Sequence, residues 1–251
     1  LGARQIVLAS QQQANVSPES HALKTPLTSI RMYAEMLRAG IADGPRRETY
    51  YRYIQEESER LSRLIANVLQ LSRISRGQLQ VEVRPVAVGE LMEAVIERIA
   101  GPAERAGFSL DLRCPDSGSV MADPDAFVQV LINLVDNAIK FAAGSERKVI
   151  EIGCERMDPA MDRARWCFRV RDYGPGIPRA SRRHVFQLFY RGPEAERQAV
   201  PGTGIGLALV RELTHAMGGT VRLVEPETGA EFRVELRAAG RRAPGEGDRV
   251  A

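Results

Sequence analysis

The chain has 251 residues, of which 44% are apolar and 27% charged, values typical of a globular protein with a sizeable core rather than a disordered one. The 35 basic and 32 acidic residues give a net charge of +3, which argues against nucleic acid as the partner. No apolar run approaches the roughly 18 residues of a membrane helix, and the N-terminus lacks a signal-peptide pattern.

Two amphipathic helical patterns fill the N-terminal part of the chain. Apolar residues follow heptad spacing over residues 23–37, and this pattern stops near Gly40. Pro45 is suited to begin a second helix, whose apolar seam extends over residues 50–71. A hairpin with two narrow seams cannot enclose a large core alone, so we expect a homodimer in which two hairpins form a four-helix bundle.

The exposed histidine of the first helix, His21, lies two positions before the first seam residue and should face away from the core. Thr25 follows one turn later on the same face, and Pro26 removes a backbone donor there. Taken alone, an exposed histidine most often has no function. The run over residues 20–27, SHALKTPL, resembles the phospho-acceptor box of sensor histidine kinases, although Ala22 stands where that family usually carries an acidic residue.

After Gly77 the pattern changes to a mixture of helices and strands, beginning with a strand-like alternation over residues 79–83. Helical patterns follow over 88–106, 124–142 and 204–217, and strand patterns over 149–155, 165–171, 219–225 and 230–237. The mixture predicts the α+β class. We expect one domain over residues 1–77, a second over 78–238, and a disordered tail over 239–251, which is rich in Arg, Gly and Pro.

The helix predicted over 124–142 carries the sequence NLVDNAIKF near its end. Asn133 and Asn137 share one face, and Lys140 lies three residues beyond. Two amides one turn apart can offer oxygen to Mg²⁺, and the lysine can offer positive charge to phosphates. A surface helix with ordinary polar residues is the alternative for this segment by itself.

Three cysteines, Cys114, Cys154 and Cys167, show no metal-ligand spacing. Their odd number favours buried free thiols in a reducing compartment, and we therefore expect a cytosolic chain.

Two glycine-containing segments follow. Asp172 ends a strand pattern and is followed by Gly174 and Gly176, which let the backbone turn tightly and approach a flat ligand. A buried carboxylate there can accept a hydrogen bond from an exocyclic amine, although a strand-end turn with a solvated aspartate is the simpler interpretation.

The second segment, PGTGIGL over residues 201–207, precedes a helix whose free backbone N–H groups can donate to a phosphate. It is neither a dinucleotide fingerprint nor a phosphate loop, because no strand leads into it and the lysine is missing.

In this order, the segments resemble the nucleotide-binding boxes of the same sensor histidine kinases, whose ATP domain belongs to the gyrase, Hsp90 and MutL superfamily. The resemblance implies an α/β sandwich that binds ATP and Mg²⁺. For the metal and the phosphates, the resemblance implies that Asn137 coordinates Mg²⁺ and that Asn133 and Lys140 lie near the phosphates. For the base, it implies that Phe141 packs beside the adenine, that Asp172 binds the adenine amino group, and that Gly174 and Gly176 shape the pocket. The residues implied to flank the phosphates are Gly202, Thr203, Gly204, Gly206 and Leu207. The segment 186–191 resembles the aromatic box of the family, with Arg191 a candidate for γ-phosphate contact, and residues 192–201 would form a lid.

The implied activity is autophosphorylation on His21 followed by transfer to an aspartate of a response regulator receiver domain. Thr25 matches the family residue that orients a water molecule when the phosphorylated regulator is dephosphorylated. We expect a cytoplasmic fragment of an inner-membrane sensor, without direct membrane contact of its own. Because Ala22 leaves the imidazole without its adjacent carboxylate, a degenerate, regulatory or phosphatase-biased ATP-binding module is the alternative. A gyrase-like ATPase is disfavoured, since those proteins place glutamate where Asn133 stands.

Overall fold

The structure is a computed structural model that describes residues 18–41, 43–75, 81–115, 118–157, 164–193, 200 and 202–240. The chain divides into two compact units, Leu1–Ser72 and Arg73–Ala251. None of the helices in these described ranges combines the length and hydropathy needed to cross a membrane.

The first unit is a pair of helices, α1 over Pro18–Arg38 and α2 over Pro45–Ser75. A proline occupies the first position of each helix, where its missing N–H costs nothing. The Tyr33 ring of α1 contacts two rings of α2, at 5.3 Å from Tyr50 and 5.1 Å from Tyr53 between centroids. The two predicted amphipathic helices are therefore confirmed, and aromatic contacts join them near the loop.

Several apolar side chains of this unit remain exposed in the single chain. Leu27 of α1 is 58% exposed, and on α2 Ile65 is 45% and Leu69 55% exposed, whereas Leu64 is buried. Heptad seams that stay open to solvent in one copy are typical of helices that pack against further helices.

The second unit contains a five-stranded sheet, a two-stranded sheet and three helices. Its elements are β1 over Arg84–Ala87, α3 over Val88–Arg105, β2 over Ser109–Arg113, β3 over Ser119–Ala122, α4 over Pro124–Phe141, β4 over Val149–Met157, β5 over Arg165–Arg171, α5 over Gly206–Ala216, β6 over Thr220–Val224 and β7 over Glu231–Arg237. The large sheet has the order β2-β4-β5-β7-β6, with β2 parallel to β4 and the other neighbours antiparallel. β1 and β3 form the small antiparallel sheet.

One face of the large sheet is apolar because the strands alternate. On β5 the buried side chains of Trp166, Phe168 and Val170 share that face. Phe127 of α4 meets Phe168 edge to face, with ring centroids 4.7 Å apart. The helices thus cover one side of the sheet, and the predicted α+β class with a helical part followed by a two-layer α/β part is confirmed.

The beginning of the second unit differs from the pattern over residues 79–83. Residues 76–80 lie outside the described ranges, 81–83 belong to no strand, and β1 begins at Arg84. Pro85 lies inside β1, which is tolerated because, within the part of the chain that the structure describes, β1 pairs with β3 alone. The short strands β2 and β3 were not predicted at all.

The chain stays attached to the sheet just beyond β7. Ala238 forms a bridge with Val120, and the Ala239 N–H donates to the Ser119 carbonyl at 2.9 Å. Residues 241–251, most of the tail expected to be disordered, lie outside the described ranges.

Two of the three cysteines form a disulfide, Cys114–Cys154, so the prediction of free thiols is wrong for this pair. The register pairs Arg113 of β2 with Gly153 of β4, and each cysteine follows directly, which makes them neighbours on adjacent strands. The sequence does not reveal this register, because the two positions are 40 residues apart. Cys167 is free and buried, and burial raises its pKa.

Candidate functional site

The amides of α4 lie on its half-buried side. The helix starts at an N-cap, Asp123, whose Oδ1 accepts from the Ala126 N–H at 3.1 Å. Three turns on, the Asn133 amide donates to the Gln129 carbonyl at 2.7 Å. The Asn137 Nδ2 atom is buried and has no hydrogen-bond partner among the described residues. A buried amide without a partner is costly in a folded protein, so this one is suited to a ligand.

The last turn of α4 holds the other two predicted residues. Lys140 forms an ion pair with Asp136, one turn earlier, so its ammonium group is already engaged. Phe141 ends the helix with 44% of its surface exposed. An exposed aromatic ring next to buried polar groups offers a flat ligand a surface on which to stack.

Asp172 is buried directly after β5. Its Oδ1 accepts from the Gly174 N–H at 2.8 Å and from the Ala230 N–H at 3.3 Å. Burial raises the pKa of Asp172, and the two backbone N–H groups oppose this increase because they stabilise the ionised form. Within the described ranges both of these hydrogen bonds go to Oδ1, which leaves Oδ2 for an external donor.

Glycines occur where α4 meets the two glycine-containing segments. A Cβ at Gly174 would lie 3.2 Å from the Phe141 carbonyl oxygen, and a Cβ at Gly206 would lie 3.2 Å from the Asn133 Oδ1. These close approaches bring the Asp172 turn against the end of α4 and the start of α5 against its middle. The predicted residues Asn133, Phe141, Gly174 and Gly206 therefore meet around one helix.

Gly204 joins the glycine-rich segment to the aromatic segment. Its φ is +71°, and a Cβ there would lie 2.6 Å from the Phe189 carbonyl carbon. The Phe189 N–H donates to the Gly204 carbonyl at 2.9 Å, and Phe189 itself has a φ of +62°. Both residues adopt left-handed conformations, which hold the two segments close together.

The remaining predicted residues of this unit surround the same segments. Gly202 has open space where a Cβ would stand, and Thr203 and Leu207 are half-buried. Gly176 has a φ of +76° and faces the carbonyl of Gly229. The Arg191 guanidinium donates to the Val200 carbonyl at 2.7 Å, across the undescribed residues 194–199 of the predicted lid.

His21 and Thr25 belong to the other unit. The backbone of His21 is helical within α1, but its side chain lies outside what the structure describes. Thr25 is exposed, and its carbonyl accepts from the Ser29 hydroxyl at 3.3 Å.

Sequence reasoning missed two parts of this site. The turn between β6 and β7 supplies Gly229 and Ala230, which contact the Asp172 turn. Gly229 itself was the sequence feature that could have indicated a tight turn there. Tyr173 is the second: Arg147 lies 3.6 Å and Arg171 4.8 Å from its ring centroid, and its hydroxyl donates to Glu151. No local sequence pattern predicts the contacts of Tyr173, since they join the loop before β4 to two strands.

The donor set limits how a metal ion is held. The described residues contain no group of three or more His, Cys, Asp or Glu side chains placed to bind one. Mg²⁺ usually takes one or two protein oxygens together with phosphates and water. The Asn137 side chain could supply one amide oxygen to such a site, whereas its partnerless Nδ2 is a donor that would face a phosphate or water oxygen.

Comparison with known proteins gives two family matches. A model described as the His Kinase A (phospho-acceptor) domain matches residues 12–77. A model described as the Histidine kinase-, DNA gyrase B-, and HSP90-like ATPase matches residues 122–240.

Relatives and solved structures match most of the chain. It is 32% identical over 238 residues to the sensor protein SphS of Synechococcus elongatus, with 91% of this chain and 55% of SphS covered. The histidine kinase AdeS of Acinetobacter baumannii shares the fold with a TM-score of 0.70 at 23% identity, covering 88% of this chain and 98% of that one. Full-length ShkA, solved in complex with AMPPNP, gives a TM-score of 0.64 at 27% identity, covering 90% of this chain and 46% of that one. The chain spans 55% of the length of SphS and between 29% and 53% of the length of other curated relatives that it matches.

Proposed function

Since this chain belongs to the family of sensor histidine kinases, we propose that it transfers the γ-phosphoryl group of ATP to His21. The observation that carries the proposal is the convergence on α4 of a buried carboxylate, Asp172, a partnerless amide, Asn137, and the close-packed glycines. ShkA, a similar protein, has been crystallised in complex with AMPPNP, an ATP analogue.

In this proposal the adenine binds at the end of β5. The amino group of the base donates to Asp172, whose Oδ1 is held by two backbone N–H groups. The Phe141 ring packs against the base, and Gly174 and Gly176 leave room for it. The phosphates lie between α4 and the start of α5, where the backbone N–H groups near Gly204 and Gly206 can donate to them.

Asn137 would hold Mg²⁺ through its amide oxygen, and the ion would offset negative charge on the phosphates. Asn133 lies one turn before it on α4. Lys140 reaches a phosphate if it exchanges its ion pair with Asp136 for one with the nucleotide. Arg191, at the edge of the predicted lid, is the proposed contact of the γ-phosphate.

The transfer is an in-line displacement. An imidazole nitrogen of His21 attacks the γ-phosphorus, an N–P bond forms, and the bond to the bridging oxygen breaks to release ADP. Imidazole is largely neutral near pH 7, since its unperturbed pKa is about 6.5, so a nucleophilic nitrogen is present without a strong base. The proton that the imidazole loses passes to water, because Ala22 offers no acceptor.

A second transfer follows in the proposal. A carboxylate oxygen of an aspartate on a response regulator attacks the phosphorus, the N–P bond breaks, and the imidazole regains a proton. The regulator docks on the helical unit, which acts as a homodimer. By analogy with the family we place this chain in the cytoplasm as part of a longer, membrane-anchored sensor; the Cys114–Cys154 disulfide removes the argument from free thiols.

The test is incubation of the chain with Mg²⁺ and γ-labelled ATP, beside the variant His21→Gln. We expect a label that is lost in acid, kept in alkali and absent from the variant, because phosphohistidine is a phosphoramidate. ATP affinity of the variant should equal that of the parent chain, which excludes misfolding of the second unit. A label that persists in His21→Gln would contradict the proposal.

The second candidate function is a phosphatase-biased or regulatory ATP-binding module, which Ala22 favours. General-base help is worth about 10²–10⁴-fold, so its absence slows phosphorylation of His21. In this case ATP binds without labelling the chain, and Thr25→Ala abolishes dephosphorylation of a phosphorylated regulator. ATP turnover with no phosphoprotein at all would instead indicate a gyrase-like ATPase.

A further inference from the structure

The outer face of the large sheet, opposite the helices, carries arginines at one level on four of its five strands. The register places these residues side by side from edge to edge. We call them the arginine row: Arg113 of β2, Gly153 of β4, Arg169 of β5, Arg233 of β7 and Arg222 of β6. Only the glycine interrupts the series of cations.

Carboxylates flank the arginine row on both sides, and their exposure is uneven: Asp111 is 36% exposed and Glu155 is exposed, whereas three others lie deeper. The side chains of Glu151, Glu231 and Glu235 are 11%, 6% and 14% exposed. Those of Arg113 and Arg222 are 60% and 53% exposed. The two ends of the row are its most exposed cations, while Arg233 is 33% exposed and Arg169 is half-buried. The surface that a partner meets therefore contains both signs of charge, with the cations concentrated along the row.

Arg169, at the centre of the row, differs from its neighbours. Arg113 pairs with Asp111 and Arg233 with Glu231, each at 2.6 Å, and Arg222 pairs with Glu235. The Arg169 side chain instead lies over Gly153, where a Cβ would stand 2.3 Å from its Nε. Arg169 makes no ion pair or hydrogen bond through its side chain to any residue that the structure describes. Its guanidinium is therefore available to an external anion.

The row has a cost for folding. Arg169 lies directly opposite Arg233, and Arg233 directly opposite Arg222, and like charges in such positions destabilise a sheet. A row of neutral polar residues would avoid this repulsion. Residues that oppose stability are typical of binding surfaces, where a ligand of opposite charge relieves the repulsion.

We propose that the arginine row binds an extended acidic segment of a partner protein. Five strands spaced about 4.8 Å apart make the row about 19 Å long, the length of about six extended residues. The guanidinium forks match carboxylates in geometry as well as in charge. A membrane surface or a nucleic-acid duplex fits less well, because each is wide enough to lie on the flanking carboxylates too.

The test uses the full chain and a capped seven-residue peptide that alternates glutamate and serine. Binding is measured by titration calorimetry at low salt, with a glutamine-serine peptide as the neutral probe. We expect Arg169→Gln to weaken binding of the acidic peptide about tenfold, because a charge-assisted hydrogen bond is lost. The matched control Arg98→Gln, an exposed charge on α3, should change it less than about twofold.

Thermal unfolding gives an independent readout. Without peptide, Arg169→Gln should unfold at a higher temperature than the parent chain, because the opposed charges are reduced. The peptide should raise the unfolding temperature of the parent but not of the variant. If Arg169→Gln fails to fold, Arg222→Gln at the edge of the sheet replaces it and is expected to weaken binding as well.

Three results would overturn the proposal. Equal weakening by Arg169→Gln and Arg98→Gln would mean that only net charge matters. No binding of the acidic peptide by the parent chain would remove the site. Tighter binding of a single-stranded oligonucleotide or of anionic vesicles, lost in Arg169→Gln, would assign the row to one of those partners instead.

Discussion

At the scale of single residues, a substitution of Asp172 should affect ligand binding and folding stability in opposite directions. Burial raises the pKa of its carboxyl group, so the ionised form opposes folding. The stability that protonation contributes is complete below the ordinary pKa of 3.8 and is lost as the pH rises through the raised folded value. Asp172→Asn removes this dependence and keeps the oxygen that accepts from Gly174 and Ala230. We expect the variant to be at least as stable as the parent at pH 7.

The same variant should bind ATP at least about tenfold more weakly, since an amide nitrogen faces the adenine amino group. Urea unfolding between pH 4 and 8 and titration with ATP measure the two effects, and the stability difference should shrink toward pH 4. Loss of stability at pH 7 in proportion to the loss of affinity would argue that Asp172 is structural.

The residues proposed for the site were predictable where the pattern is local. Asn133 and Asn137 share a helix face, and Asp172 precedes two glycines. Their spacing makes them candidates, and the order of the segments, which resembles that of the family, gives them roles. The Ala230 N–H comes from 58 positions away, and Tyr173 lies between arginines of two other segments. Such partners depend on strand register, which a single sequence does not specify.

At the scale of elements, Gly204 couples the glycine-rich segment to the aromatic segment. Gly204→Ala places a Cβ against the Phe189 backbone at a φ of +71°. We expect a loss of about 1–3 kcal/mol in the free energy of unfolding, and weaker ATP binding, measured by urea unfolding and calorimetry. Gly144→Ala, which has open space around it, should leave stability unchanged or slightly increased. Similar losses in both variants would show that the close approach is unimportant.

The elements themselves were predicted unevenly. Long apolar helices such as α4 were located to within a residue, because their periodicity is strong. β2 and β3 have five and four residues, and the polar residues in and around them leave no clear alternation of apolar and polar side chains. The first strand was predicted too early in the chain, because the alternation over residues 79–83 ends before Pro85 whereas β1 includes this proline.

At the scale of the whole molecule, the exposed heptad residues predict association. We expect the chain to sediment with twice its mass of 27.7 kDa at micromolar concentration. Leu27 is 58% exposed in a single copy and would be covered in the dimer. Leu27→Asp should therefore shift this equilibrium toward the monomer, because it places a charge in the apolar seam. Leu112→Asp, at an exposed leucine of the other unit, is the matched control and should remain dimeric. A parent chain that sediments as a monomer would contradict the four-helix bundle.

The disulfide gives the molecule a particular covalent topology. Residues 114–154 form a closed ring that contains β3 and all of α4. Two open arms leave this ring, one carrying His21 and the other carrying Asp172 and the glycine-rich segment. A protease that cuts inside the ring leaves a single molecule with α4 still tethered, whereas a cut in either arm releases a fragment. The amides proposed to face the phosphates thus lie on the part of the chain that one backbone cleavage cannot detach.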